Sequence, residues 1–122
     1  METLTAFLQT NHILSAWLSG LGAVDELCVG YYDLTARTYR FTDYHESLEV
    51  VSLCGNVVER EGAPLVHAHG IFSNTKNETI GGHIEEMRVA VTLEVRLSLL
   101  NANVKRVHDD ETGLPLITSN EE

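Results

Sequence analysis

Helical periodicity is confined to one end of this chain, and nearly everything after it reads as strand. Leu4, Phe7 and Leu8 fall at helical spacing, and Thr3 is placed to cap the helix they begin. The period can be carried on through Leu14, Trp17 and Leu18 as one longer helix. Alternatively the helix ends at Asn11-His12 and a strand begins at Ile13, where Ile13, Ser15 and Trp17 alternate with Leu14, Ala16 and Leu18. Beyond that point Gly20-Leu21-Gly22 signals a turn, and Leu27-Cys28-Val29-Gly30-Tyr31-Tyr32 is rich in β-formers. The polar turn Asp33-Leu34-Thr35-Ala36-Arg37 precedes an alternating strand over 38–42. A long strand is expected over 48–58, with Gly55 marking a bulge or a close backbone approach. A hairpin turn at Glu59-Arg60-Glu61-Gly62-Ala63-Pro64 leads into a strand over 65–72. Residues 74–78 turn again, 80–84 form a short strand, and 87–100 form the longest. A last pair, 104–108 and 114–117, flanks Asp109-Asp110-Glu111-Thr112-Gly113. The expected fold class is α+β: one domain over 1–117, mainly antiparallel β-sheet with one N-terminal helix, room for one parallel pairing, and a frayed acidic tail over 118–122.

With 122 residues the chain fits one domain and buries enough surface for a core without disulfide or metal staples. Its 18 acidic residues against 8 basic ones give a net charge of −10. That field repels duplex DNA and anionic membranes unless the cations cluster, which argues against a free-standing DNA binder. No apolar run reaches the roughly 18 residues of a bilayer span, and no basic segment precedes an apolar one as in a signal peptide. A cytoplasmic protein without a membrane partner is expected, and the sequon Asn77-Glu78-Thr79 is then accidental. Cys28 and Cys54 sit inside apolar runs without metal-knuckle spacing and are expected as buried reduced thiols.

One constellation carries chemistry. In a strand, residues two apart share a face, so His67 and His69 in Leu65-Val66-His67-Ala68-His69-Gly70 point the same way, roughly 6.6 Å apart at the backbone. Imidazoles at that spacing can bring their nitrogens to one point about 2.0–2.1 Å from a metal ion. His83 follows 14 residues after His69, enough for a turn and a neighbouring strand to set it alongside. Gly81 and Gly82 before it permit a close approach that side chains would block. Three histidines leave a fourth position for water or substrate, the arrangement of a catalytic or exchangeable site. Zn2+ is the first expected ion, with nickel, copper or iron also suited to imidazole. The same spacing also fits two solvent-facing strand histidines and one turn histidine.

The remaining groups say less. Glu94 interrupts an apolar run, and its parity places it with Thr92, Arg96 and Ser98 on a polar face. Glu94 and, similarly, Glu49 are the candidate catalytic proton carriers, or else members of a solvated stripe. His12, His45 and His108 lie at a helix end or beside acidic residues. No phosphate loop is present, because Gly81-Gly82 lacks the downstream Lys-Ser/Thr.

Taken together, Leu48-Glu49-Val50-Val51-Ser52-Leu53-Cys54-Gly55-Asn56, Leu65-Val66-His67-Ala68-His69, Ile80-Gly81-Gly82-His83-Ile84 and Val91-Thr92-Leu93-Glu94-Val95 resemble the plants-and-prokaryotes-conserved (PPC) domain in its bacterial single-domain form. Ser19-Gly20-Leu21-Gly22, Val29-Gly30-Tyr31-Tyr32-Asp33 and Glu111-Thr112-Gly113-Leu114 also fit, so the resemblance covers nearly the whole chain. It implies a compact α+β domain assembled as a homo-trimer, with a DNA-binding or regulatory assignment. That assignment owes much to plant members with an AT-hook; no Arg-Gly-Arg-Pro hook stands here, so DNA would be bound weakly or through a basic partner. Bacterial members with this histidine set resemble metal sites, and His67, His69 and His83 match residue by residue. The fold and histidines are also similar to acetolactate decarboxylase, a zinc-dependent lyase, which implies as the alternative an enzyme acting on a small carbonyl or carboxylate substrate. Against the family pattern an N-terminal edge strand is missing, and the alignment favours a helix ending near Asn11 with strand over 13–18.

Overall fold

The computed structural model describes residues 1–102 and 104–118. It holds one helix, α1 (Glu2–Thr10), and seven strands: β1 (Ala16–Asp33), β2 (Thr38–Tyr44), β3 (Leu48–Arg60), β4 (Ala63–Ser73), β5 (Thr79–Leu99), β6 (Lys105–His108) and β7 (Pro115–Thr118). This is the expected α+β class. The acidic tail expected from 118 onward meets the structure only at Thr118, which closes β7; the other four residues lie outside the described residues.

Of the two readings of the N-terminus, the short helix is the one formed. Asn11 ends it: its side-chain Nδ2 donates to the Phe7 carbonyl at 2.8 Å, and His12 then turns into left-handed backbone at φ 54°. Thr3 does not cap the helix as expected. Met1 holds the N-cap position without a side-chain bond, because the first turn begins two residues earlier than the apolar period suggests.

The strands run in the order β2-β1-β5-β4-β3-β6-β7, and β1 also pairs with β3. The pairings β1–β5, β5–β4, β4–β3 and β3–β1 therefore close a ring, all antiparallel. One parallel contact, Glu59 opposite Lys105, hangs the β6–β7 hairpin on the end of β3. The interior holds Leu18, Val24, Leu27, Leu48, Val50, Leu53, Val57, Phe72 and Ile84, with Leu8 of α1 packed against them. Among the described residues no helix is long and apolar enough to cross a membrane.

Two expected breaks are instead places where long strands bend. Gly20-Leu21-Gly22 is not a turn: β1 runs through it with a shift of register between Gly20 and Gly22. A Cβ at Gly22 would stand 2.1 Å from the Thr92 carbonyl oxygen, so the glycine lets β5 close over β1 where the ring curves. The strands expected over 80–84 and 87–100 are likewise one strand, β5, with irregularities facing Val24, Glu26 and Val29. Gly55 is a close approach and not a bulge, since its Cβ would lie 2.2 Å from the His67 carbonyl oxygen. Cys28 is half-buried but Cys54 is exposed, contrary to the expectation of two buried thiols. It pairs with Ser19 and His69 on the outward face of β3, and an apolar run alone does not tell which face of a strand is covered.

Candidate metal centre

His67 and His69 lie on one face of β4, and the β4–β5 register sets His83 directly opposite His69. The three rings converge, with centroids 5.0 Å apart for His67 and His69, 5.1 Å for His67 and His83, and 5.6 Å for His69 and His83. One ring nitrogen from each falls within 4.8 Å of the other two. The glycines before His83 act as the sequence suggests. A Cβ at Gly81 would meet the Gly70 carbonyl oxygen at 3.0 Å, and one at Gly82 the Gly30 carbonyl oxygen at 3.0 Å, so bare backbone lets β5 nestle between β4 and β1.

Several further groups enclose the triad. Tyr39 of β2 stacks on His83 with centroids 4.8 Å apart. Glu85, two residues along β5 at the irregularity beside Val29, places a carboxylate oxygen 3.9 Å from His83 Nε2. Arg106 of β6 reaches across β3: Nη1 donates to the Pro115 carbonyl at 2.7 Å and Nη2 to Asn56 Oδ1 at 3.2 Å, while Nη2 also lies 2.7 Å from His67 Nδ1. A guanidinium only donates, so Nδ1 accepts and neutral His67 keeps its proton on Nε2. A cavity of about 450 Å³ opens beside these residues, lined among others by Tyr39, Arg60, His67, His83, Glu85 and Arg106.

Burial and the neighbouring Arg106 charge push the His67 imidazole down to about 4. Burial, with His69 beside it, also lowers that of His83. Both rings are therefore neutral at pH 7, the form that offers a lone pair to a metal. Burial lowers Arg106 from its usual range and raises the Tyr39 hydroxyl.

The residues fit a metal ion. Among the described residues His83 Nδ1 is buried without a hydrogen-bond partner, which leaves its lone pair for a metal ion. His67 fits once Arg106 gives up Nδ1, because the neutral ring has one lone pair to offer. Glu94 and Glu49, the carboxylates singled out in the sequence, do not join the triad. Both are exposed, Glu94 opposite Leu21 and Glu49 opposite Ser73, and neither lines the cavity. His83 pairs with Gly30, nine residues along β1 from Leu21, or roughly 30 Å of strand from Glu94. Parity told which face Glu94 takes but not how far along it lies. Glu85 is the carboxylate at the site, and its spacing of two from His83 was the available signal. Tyr39, Asn56 and Arg106 gave none, because strands distant in sequence bring them there.

The family model described as the Plants and Prokaryotes Conserved (PCC) domain matches residues 1–101. Among solved structures, a metal-containing protein of Archaeoglobus fulgidus is similar at 31% identity and TM-score 0.89, covering 97% of this chain and 84% of its own. A plant- and prokaryote-conserved protein of Pyrococcus horikoshii matches at 29% identity and TM-score 0.90, over 99% of this chain and 84% of that one. A "putative DNA binding protein" of Bacteroides thetaiotaomicron shares the fold at TM-score 0.92 but only 21% identity, over 96% of this chain and 82% of that one. Among curated proteins none matches.

Proposed function

The chain belongs to the Plants and Prokaryotes Conserved domain family, and from that premise we propose that it is a trimeric metal-binding protein whose centre is formed by His67, His69 and His83. The observation that carries this reading is the partnerless, buried His83 Nδ1 inside a cluster of three imidazoles. The metal-containing relative at 31% identity supports it. Zinc is the proposed ion, because three imidazoles with an open fourth position suit it. When bound, such an ion supplies Lewis-acid chemistry or an activated water. The chain's own groups then have distinct tasks. Glu85 places a negative charge beside His83, Tyr39 covers the His83 ring, and Asn56 fixes Arg106.

Assembly is supported by surface area. The chain exposes 8044 Å², against ~6,500 Å² for a compact monomer of its mass. Trp17, Leu21, Val51, Val91 and Leu99 are all more than half exposed, and an apolar cavity of about 900 Å³ stands open between α1 and the sheet, lined in part by Leu18, Leu53, Leu93 and Val95. The number three rests on the family resemblance. Elemental analysis and sedimentation equilibrium of protein purified without an affinity tag test both parts together. One metal ion per chain and a particle of three chain masses are expected; metal far below one per chain would refute the centre, and a single chain mass the trimer.

DNA association is the second reading, favoured by the family-level assignment. The net charge of −10 opposes it, and Arg40, Arg88 and Lys105 are already paired with carboxylates. Labelled duplex titrated at two salt concentrations is expected to show no direct binding. Affinity that falls steeply with salt would establish it, since the slope counts the phosphates neutralised.

A further inference from the structure

Arg106 is the feature that the three-histidine centre leaves unexplained. It is half-buried, yet its partners are all neutral: the Pro115 carbonyl, the Asn56 side chain and His67 Nδ1. Among the described residues no carboxylate pairs with it, in a chain with 18 acidic residues. Its Nε–H is buried with no acceptor. A charge kept in this way costs free energy until an anion meets it.

The second observation is competition. The Arg106 guanidinium holds the His67 Nδ1 lone pair, and a metal ion taken up by the triad adds two positive charges beside it. Against these three charges the cavity wall offers, among the described residues, one carboxylate, Glu85, which is more than half exposed and lies beside His83. Arg60 lines the same cavity and adds a further cation. A metal-loaded triad is therefore short of negative charge at the place where Arg106 has donors to spare.

We propose that Arg106 makes metal uptake at the triad depend on a small carboxylate anion, which binds the guanidinium in the 450 Å³ cavity and frees His67 for the ion. Once His67 is given up, Nε–H and Nη2–H are both open, and the two oxygens of a carboxylate match such a pair. Asn56 and Pro115 keep the guanidinium in place throughout. Metal and anion then strengthen each other's binding by the same factor. The proposal rests on the metal-centre reading and specifies what accompanies the ion.

The test is a zinc titration against a chromophoric chelator at constant ionic strength, with nitrate progressively replaced by acetate. Acetate is expected to tighten zinc binding to the native protein by ~10-fold, within the usual range of coupling between two sites. Arg106→Met is expected to bind zinc more tightly than the native protein without acetate, and to lose the acetate effect. Unchanged zinc affinity of the native protein on adding acetate, or an acetate effect that survives in Arg106→Met, would overturn the proposal while leaving the metal centre standing. If the native protein takes up no zinc under either condition, the metal-centre reading fails and the proposal with it. Should Arg106→Met not fold, Arg106→Lys decides: it keeps the charge but not the fork, so most of the acetate effect should vanish, and its full retention would refute the role given to Arg106.

Discussion

His83→Ala is expected to weaken metal binding by more than ~100-fold while the protein keeps its sheet. Removing a group that merely orients a ligand costs 10–100-fold in related centres, and this change removes a ligand itself. His83 is the side chain on which the site converges: its ring contacts His67, His69 and Tyr39, and its Nδ1 is the buried nitrogen with no other partner. Alanine suits the half-buried strand position, and the β4–β5 pairing is made by backbone, so circular dichroism should be unchanged. His45→Ala is the control, because His45 is exposed and outside the triad. Equal metal content in His83→Ala and the native protein would show that the three histidines are not ligands.

Phe72→Ala is expected to be the most destabilising single truncation in the interior. Phe72 is fully buried, and its ring lies across Gly70, where a Cβ would come within 2.8 Å of it. Opposite it stand Val50 on β3 and Ile80 on β5, so one side chain fills the space between three strands of the ring. Truncating a buried phenylalanine costs ~3–5 kcal/mol, a large part of the ~5–15 kcal/mol that holds a domain together. Thermal unfolding of the assembled protein should show a midpoint lowered by roughly 10–20 °C. A loss below ~1 kcal/mol would mean that the strands are held mainly by contacts between chains, because buried phenylalanine truncations otherwise cost several times more. The histidine strand β4 carries Phe72, so the metal centre should weaken along with the fold in this variant.

The sequence was most informative wherever a property depends on residues next to one another. The alternation of β4 put His67 and His69 on one face, and Gly81-Gly82 announced the close approach that sets His83 beside them. The parity of Glu94 and Glu49 correctly placed them on an exposed face. Parity does not tell that both lie away from the histidines, because a period of two fixes the side of a strand and not the distance along it.

Local pattern determined the α+β class, the faces of the strands and the histidine cluster, since a strand's periodicity and a glycine's missing Cβ act within a few residues. Tertiary structure alone decided that Gly20-Leu21-Gly22 bends a strand instead of ending it, because the reason for the glycine is a carbonyl of β5 that approaches from Thr92. It also decided that β1 pairs with β2, β3 and β5, which closes the ring. Arg106 owes its place to the single parallel contact between β3 and β6, which carries a cation from one end of the chain onto the histidines of β4. No spacing along the sequence encodes that contact; it exists because hydrogen-bonded strands are brought to about 4.8 Å of one another whatever their separation along the chain.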